Sequence, residues 1–312
     1  MKIKTGSFCA VGQVAGLAVG WACGVWMVAA SVQVWAQTPT STPVPSPAPS
    51  AAPTPVQHPA PDALPLWEIG VGGLGITQPA YPGASTATSR VIVLPYVIYR
   101  GEYFRAEQSG VGLRAVKTPR YEVDIGFSAS LGSTAKDVPA RVGMADLGTL
   151  VEFGPRLKIH LGDVSQGPTG YWLELPLRGV FDLNNQLVNR GFSFEPQLSM
   201  DVPLPGGWRG GGSVSAIFAS QRLNETFYSV SAAEATATRP AFAAQAGFLA
   251  TRATLSASRK VTPDLRLLAF VRLDSVAGSA NSGSALIEKT SGASVGLGLT
   301  YTFGRSEKSG SR

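Results

Sequence analysis

The sequence predicts an all-β fold, a transmembrane antiparallel up-and-down β-barrel of about twelve strands, with ten as the alternative. Three observations indicate this fold. The chain starts with a segment typical of exported proteins, and its central region alternates apolar and polar residues throughout. Its last strand is apolar at every second position and ends on an aromatic residue. Strands of this kind present one face to lipid and the other to water.

Residues 1–36 have the pattern of a signal peptide. Lys2 and Lys4 supply the positive start, and a long uncharged apolar stretch follows. Val34, Trp35 and Ala36 offer a cleavage site of the small-x-small type, so we expect the mature chain to begin near Gln37. The alternative is a retained transmembrane helix, because the apolar stretch is long for a signal.

Both cysteines, Cys9 and Cys23, fall inside this segment. We therefore expect the mature chain to have no thiol, no disulfide and no Cys-based metal site. We also expect it to use no cofactor. The net charge is +6, and loss of the two leader lysines leaves +4. A modest charge spread along the chain is not typical of a nucleic-acid binder.

Residues 37–65 consist almost wholly of Pro, Ala, Ser, Thr and Val. Such a composition cannot bury a core, so we expect a disordered linker that samples polyproline II conformations. The linker could be a periplasmic tether that reaches a cell-wall partner. The alternative is a spacer between the signal and the barrel, which is favoured because Pro-rich segments carry no specificity alone.

The barrel is expected over residues 66–303, where no window shows a helical period. A soluble β-sandwich would also alternate, but many of these runs reach about ten residues, the length that crosses a bilayer. The clearest alternating segments are 121–129, 156–161, 171–178, 192–201 and 265–273.

The length of this region sets the number of strands. At about ten residues for each crossing and a similar allowance for each connection, twelve strands fit. Long loops are expected at 132–147, 224–239 and 275–291, where Ser, Ala, Gly and Thr are frequent. The segment 102–107 is too short to cross alone and is the weak point of this count.

The closing strand carries the barrel assembly signal that we expect, a row of apolar residues on one face: Val295, Leu297, Leu299, Tyr301 and Phe303. A polar tail, 304–312, follows it. Many outer-membrane barrels end on the aromatic residue, so the assembly machinery would here have to read an internal signal.

Charged residues alternate with the lipid-type residues and are expected to face the barrel interior: Glu122, Asp124, Glu152, Arg156, Glu174, Arg178, Arg266 and Arg272. Buried charges are costly unless they pair. One interpretation is a network of ion pairs that fills the lumen. The other is a charged constriction that selects solutes by sign. The presence of both signs favours the filled interior.

Candidate residues for chemistry are few. The glycines from Gly70 to Gly75 are explained by a Gly-rich strand, because no helix follows them as a phosphate-binding loop requires. His58 lies in the linker, and His160 lies on a strand beside Arg156 and Lys158. A lone lumenal histidine is more often part of a polar network than a catalyst.

Several short motifs in order resemble one family: Pro79, Tyr81, Pro82, Gly83; Leu94, Pro95, Tyr96, Tyr99, Arg100, Gly101; Arg141, Gly143, Met144, Asp146, Leu147, Glu152, Gly154, Pro155; Leu175, Pro176, Leu177, Arg178; Gly191, Phe194, Glu195, Pro196; Phe227, Tyr228, Val230, Arg239, Pro240; Tyr301 and Phe303. The chain resembles the MipA/OmpV family, named for the MltA-interacting protein. The long Pro-rich linker, the stretch 281–284 and the tail after Phe303 depart from the family pattern.

The resemblance implies a non-enzymatic barrel in the outer membrane of a Gram-negative bacterium. It also implies a scaffold that contacts outer-membrane lipid and holds a murein transglycosylase and a murein synthase. No residue of this chain can be attached to that binding from sequence. A small pore or stress-responsive channel is the alternative, and a lipid-modifying barrel enzyme that uses His160 is a third.

Overall fold

The computed structural model describes residues 65–308, except 101–103, 108–109, 114–115, 119 and 163–168. The signal peptide expected at 1–36, its cleavage site at Ala36 and Gln37, and the linker up to residue 64 lie outside the described residues. Residues 309–312 of the expected tail also lie outside them.

Within these ranges, fourteen antiparallel strands form one sheet, which confirms the all-β prediction. The strands are β1 (Trp67–Pro79), β2 (Ala87–Arg100), β3 (Phe104–Glu107), β4 (Gly110–Leu113), β5 (Val116–Lys117), β6 (Tyr121–Ser130), β7 (Leu150–Leu161), β8 (Gly170–Asp182), β9 (Val188–Phe194), β10 (Gln197–Leu204), β11 (Trp208–Ala219), β12 (Gly247–Lys260), β13 (Leu265–Ser275) and β14 (Ser291–Arg305). The helices are α1 (Gln221–Tyr228) and short 3₁₀ turns at Ala135–Asp137, Pro139–Arg141 and Pro205–Gly207. None of the helices in the described part of the chain has the length and apolar character needed to cross a membrane.

The pairing order runs in one path from β4 through β1 and β14 to β5, and the two ends of this path meet because β4 lies against β6. The first strand, β1, pairs with both β2 and the last strand, β14. The strands β9 and β10 both pair with β8 and β11, so they are two halves of one barrel strand. Likewise β4 pairs with β3 while β5 pairs with β6, and the two pieces follow each other in the chain. The fourteen described strands therefore occupy twelve positions around the barrel, as predicted.

The connections differ in length between the two ends of the barrel. The turn rim has the short connections 205–207 and 261–264, the strand ends at Lys117, Tyr121, Leu161 and Gly170, and both ends of the described chain. The loop rim has the connections 80–86, 131–149, 183–187, 220–246 and 276–290. Short turns face the periplasm and long loops face outward in bacterial outer-membrane barrels. The long loops include the three segments predicted from composition.

Alternation along the strands sorts residues onto two faces. On β14 the outward row is apolar and exposed, with Leu297 and Phe303 both 66% exposed. The inward row consists of glycines and hydroxyl residues, among them Ser294 and Thr302. Such a strand suits lipid on one side and a polar bore on the other.

The dry core of the molecule lies at the loop rim. We call the four loops 80–86, 131–149, 220–246 and 276–290 the loop cap. Their buried apolar residues form one cluster: Tyr81, Val138, Leu147, Leu223, Phe227, Tyr228, Val230 and Leu286. Bore-facing residues at the tops of the strands belong to the same cluster, namely Leu150, Val180, Ile217 and Ala250. The loops therefore pack into the mouth of the barrel.

Side-chain to backbone hydrogen bonds join the loops of the cap. The hydroxyl of Tyr81 donates to the carbonyl oxygen of Leu286 over 2.8 Å, and that of Tyr228 donates to Pro82 over 3.0 Å. The guanidinium of Arg141 donates to the carbonyl of Phe227 over 3.1 Å. Buried loop backbone must satisfy its polar groups internally, and these bonds do so.

The helix α1 departs from the sequence prediction, which placed a loop at 224–239 and no helical period anywhere. Leu223, Asn224, Phe227 and Tyr228 are buried together on one side of it. A helix of eight residues is unstable alone, and its period is too short to stand out in sequence. Packing against the other cap loops stabilises it instead.

Candidate functional site

The inner face of the barrel carries a set of ion pairs centred on β7. Arg156 donates two hydrogen bonds to Asp124 on β6, at 2.8 and 2.6 Å. A third nitrogen of the same guanidinium lies 3.3 Å from Glu174 on β8. The ammonium of Lys158 lies 3.5 Å from Asp124. One arginine therefore links three adjacent strands through charge-assisted hydrogen bonds.

A second group of ion pairs is centred on Glu195, between β9 and β10. Arg178 lies 2.9 Å from Glu195 and 3.7 Å from Glu152. Arg252 on β12 lies 3.4 Å from Glu195 and 2.7 Å from Asp274 on β13. This group spans the bore wall from β7 to β13.

The structure places all of the sequence-predicted charges on the inner face, but in different settings. Asp124, Glu152, Arg156, Glu174 and Arg178 join the ion pairs just described. Glu122 lines a bore cavity of about 420 Å³ together with Arg156 and Glu174. Arg266 lines a cavity of about 450 Å³ at the turn rim. Arg272 forms no ion pair or hydrogen bond with any described residue.

Sequence reasoning missed three members of the network, Glu195, Arg252 and Asp274. Glu195 lies at the break between β9 and β10, beside Pro196, and alternation alone gives no reason to prefer it. Arg252 and Asp274 are directly opposed across β12 and β13. Alternation of apolar and polar residues within 247–260 could have placed Arg252 on the inner face.

One part of the inner face is apolar, which the sequence analysis did not anticipate. We call it the inner apolar wall, and it is formed by Leu74, Ile76, Ile92, Leu94, Leu268 and Phe270. Leu74 on β1 is paired across the sheet with Ile92 on β2 and with Gly298 on β14. Gly298 is paired in turn with Leu268 on β13. Leu94 is 61% exposed although it shares the face of Tyr96, which lines the turn-rim cavity.

Glycines on this wall make room for neighbouring rings. A Cβ atom at Gly296 would overlap the ring of Phe270, and one at Gly70 would overlap the ring of Tyr96. The hydroxyl of Tyr96 forms a hydrogen bond with that of Thr302 at 2.5 Å. The Gly-rich stretch of β1 is thus a strand whose small residues accept close approach from its neighbour.

Burial in the loop cap changes how its titratable groups behave. Burial, with a smaller contribution from Glu288, raises the pKa of Tyr81 to about 12. Burial likewise raises the pKa of Tyr228 and lowers that of Arg141. The guanidinium of Arg141 lies 5.6 Å from the centroid of the Tyr81 ring. These groups hold the cap in one arrangement.

His160 lies near the turn rim at the end of β7. Its ring packs edge-on against Trp172, with centroids 4.6 Å apart, and Nδ1 has no hydrogen-bond partner. Neither a serine hydroxyl nor a carboxylate of the described chain bonds to this ring. The described residues also contain no cluster of His, Cys, Asp and Glu placed to hold a metal ion.

A closed antiparallel barrel with an apolar outer belt, a charged bore and long loops on one rim defines an outer-membrane β-barrel protein. Its place is the outer membrane of a Gram-negative bacterium. Comparison with known families matches residues 71–303 to the family described as MltA-interacting protein MipA. The chain belongs to that family.

Solved structures similar to this chain are also bacterial barrels. They include an outer membrane channel from Pseudomonas putida F1, at 13% identity, 81% coverage of this chain, 100% of that chain and a TM-score of 0.37. The translocator domain of the autotransporter NalP from Neisseria meningitidis matches at 13% identity, with 76% and 88% coverage and a TM-score of 0.36. The NanC porin matches at 10% identity, with 74% and 98% coverage and a TM-score of 0.36. Scores this low carry no argument about function. A search of curated proteins finds no match.

Proposed function

We propose that this protein is a scaffold that holds murein-processing enzymes at the periplasmic side of the outer membrane. The family description, which names interaction with MltA, supports a murein transglycosylase as one partner. A murein synthase is the second partner that the family resemblance suggests. In this proposal the barrel anchors the enzymes close to their polymer.

The observation that carries this proposal is the packed loop cap. Tyr228 and Leu286 are fully buried in the mouth of the barrel, and ion pairs cross-link the bore wall below them. A barrel closed in this way offers little passage along its axis. The turn rim, with both ends of the described chain, is then the surface available to a periplasmic partner.

Affinity capture from a detergent extract tests the scaffold. A tag on the barrel should enrich a murein transglycosylase and a murein synthase, compared with a tagged unrelated barrel. Replacing the turn-rim acids Asp264 and Glu307 with lysine should reduce this recovery. The matched control replaces Ala232 and Ala233 on the loop rim with lysine, and recovery should be unchanged. Equal recovery on the unrelated barrel would contradict the scaffold.

A deletion in the linker tests its role in the same affinity-capture experiment. We propose that residues 37–65 act as a tether for the partner, and a chain that lacks 40–60 should then recover less enzyme. Full recovery with this deletion would make the segment a spacer, while the turn-rim variants would still test the scaffold itself.

A small pore is the second candidate function. The cavities of about 420 and 450 Å³ in the bore and at the turn rim are lined by polar and charged residues, which suits water. Purified protein in planar bilayers separates the two functions. The scaffold proposal expects no stable conductance steps, and reproducible steps would favour the pore.

A further inference from the structure

The inner apolar wall and the unpaired Arg272 lie side by side on β13. Arg272 follows Phe270 by two residues on the same face, and its guanidinium carbon lies 5.6 Å from the centroid of the Phe270 ring. The other arginines of the bore wall on β7, β8 and β12 contact carboxylates, whereas Arg272 has no ion pair with any described residue. An apolar surface therefore ends at a cation that makes no direct ion pair, because Asp274, two residues farther along the same face, pairs with Arg252.

Space for a ligand exists beside Arg272. A cavity of about 60 Å³ lies between the loop cap and the bore wall, and its lining includes Arg252, Arg272, Asp274 and Ser294. Arg252 already contacts Glu195 and Asp274, so Arg272 is the cation left to bind an added anion. The hydroxyl of Ser294 adds a neutral donor on the neighbouring strand.

Two neighbours of the wall line an opening at the turn rim. Leu94 precedes Tyr96 by two residues, Leu268 follows Arg266 by two residues, and both Tyr96 and Arg266 line the turn-rim cavity. From Leu268 to Arg272 the strand rises about 13 Å, at roughly 3.3 Å for each residue. An alkyl chain of that length that enters at the turn rim and lies along the wall reaches Arg272 below the cap.

We propose that the bore binds an anionic single-chain amphiphile, an alkyl chain that carries a carboxylate or phosphate head. The head pairs with Arg272, and the chain covers Phe270, Leu268 and Leu94. A purely polar solute leaves the apolar wall in water, and an uncharged alkane leaves Arg272 unpaired. An anionic amphiphile satisfies both surfaces. The site does not depend on the scaffold proposal.

Photo-crosslinking tests this site in the full-length processed protein in nanodiscs of zwitterionic phospholipid. The probe is dodecanoate that carries a diazirine on its chain, and labelled residues are located by mass spectrometry. We expect saturable labelling of β2, β13 and β14 at bore-facing positions. Unlabelled dodecanoate should compete, whereas dodecanol should compete at least about tenfold more weakly, because it lacks the charge that Arg272 binds.

Matched variants separate the two parts of the site. Arg272→Gln should weaken dodecanoate labelling about tenfold, while Arg209→Gln, at another bore-facing arginine, should not. Phe270→Ser should weaken labelling by the dodecanoate probe, and Leu94→Ser repeats that test at a more exposed position. Leu297→Ser, on the lipid face of β14, should leave labelling unchanged.

Three results would overturn the site. The first is labelling confined to outward, lipid-facing residues. The second is equal competition by dodecanol and dodecanoate. The third is labelling that is unchanged in both single variants, Arg272→Gln and Leu94→Ser.

Discussion

Arg156 shows at the scale of one residue how the bore is stabilised. Its guanidinium binds Asp124 through two hydrogen bonds and reaches Glu174 at 3.3 Å. Burying three charges is costly, and only their mutual pairing offsets that cost. Removing the arginine leaves two carboxylates that repel each other in a confined space.

Arg156→Ala should therefore destabilise the folded barrel by about 3–5 kcal/mol. Urea unfolding in lipid vesicles, followed by tryptophan fluorescence, measures the change. Arg305→Ala is the control, because Arg305 pairs with Asp264 at the exposed turn rim, and it should cost less than about 1 kcal/mol. Equal losses in the two variants would contradict a stabilising bore network.

Leu187 adopts a backbone conformation that is unfavourable for its side chain. It has a φ of 59° in the short loop between β8 and β9, next to Gln186 at 48°. Left-handed backbone costs a branched residue about 1–2 kcal/mol relative to glycine. Leu187→Gly should therefore raise the free energy of unfolding by about 1 kcal/mol in the same urea experiment.

Leu183→Gly provides the comparison for that variant. Leu183 is exposed in the same loop, and its φ is not positive. This change should give no gain, because it relieves no strain and adds freedom to the unfolded chain. If Leu183→Gly raised the free energy of unfolding by the same amount, the backbone conformation of Leu187 could not be the cause.

The loop cap is the element whose stability should depend on pH. The pKa of Tyr81 is about 12 in the folded protein, against about 10 for a tyrosine in water. A raised folded pKa means that the folded state keeps the proton longer than the unfolded state. Its stabilising contribution is therefore complete below pH 10 and is lost as the pH rises from 10 towards 12.

We expect the thermal midpoint of the barrel to fall over that pH range, measured by the loss of the compact band on gels. Tyr81→Phe should reduce the fall but not abolish it, because Tyr228, whose pKa burial also raises, remains in the cap. Tyr301→Phe, on the lipid face of β14, should keep the wild-type pH dependence. An identical curve for all three proteins would exclude Tyr81 as the titrating group.

The elements differ in how far sequence determines them. β14 was predicted because its apolar residues alternate strictly, and lipid selects that pattern. The inner apolar wall was not predicted, because β2 carries apolar residues at consecutive positions from Val91 to Leu94, and alternation cannot then separate its two faces. α1 was missed because contacts from three other loops, distant in sequence, stabilise it.

At the scale of the whole molecule, the twelve barrel positions place both ends of the described chain on the turn rim. This arrangement predicts that the loop rim faces outward. Ala232→Cys should react with a membrane-impermeant maleimide on intact cells. Glu307→Cys should react only after the outer membrane is opened.

The wild-type protein is a clean background for this labelling, because its two cysteines lie in the expected signal peptide. Labelling of Glu307→Cys on intact cells, with Ala232→Cys protected, would invert the orientation. Reaction at both sites would indicate a chain that is not inserted.

The architecture could be predicted from this sequence further than the site. Alternation and length determine the barrel and its twelve positions, since the bilayer imposes both. The charged residues that face inward followed from the same rule, but their partners did not, because Glu195, Arg252 and Asp274 meet through strand register. The cap depends on contacts between loops, such as that of Tyr81 with Leu286, for which no local pattern exists.

The contact between Tyr81 and Leu286 also constrains the order of assembly. The two residues are 205 positions apart, and they meet only because β1 and β14 are neighbours. The loops that cover the mouth can therefore pack only after β1 has paired with β14. A folding intermediate before that step would expose the apolar side chains of these loops. Proteases and chaperones could recognise incompletely folded protein by this exposed surface.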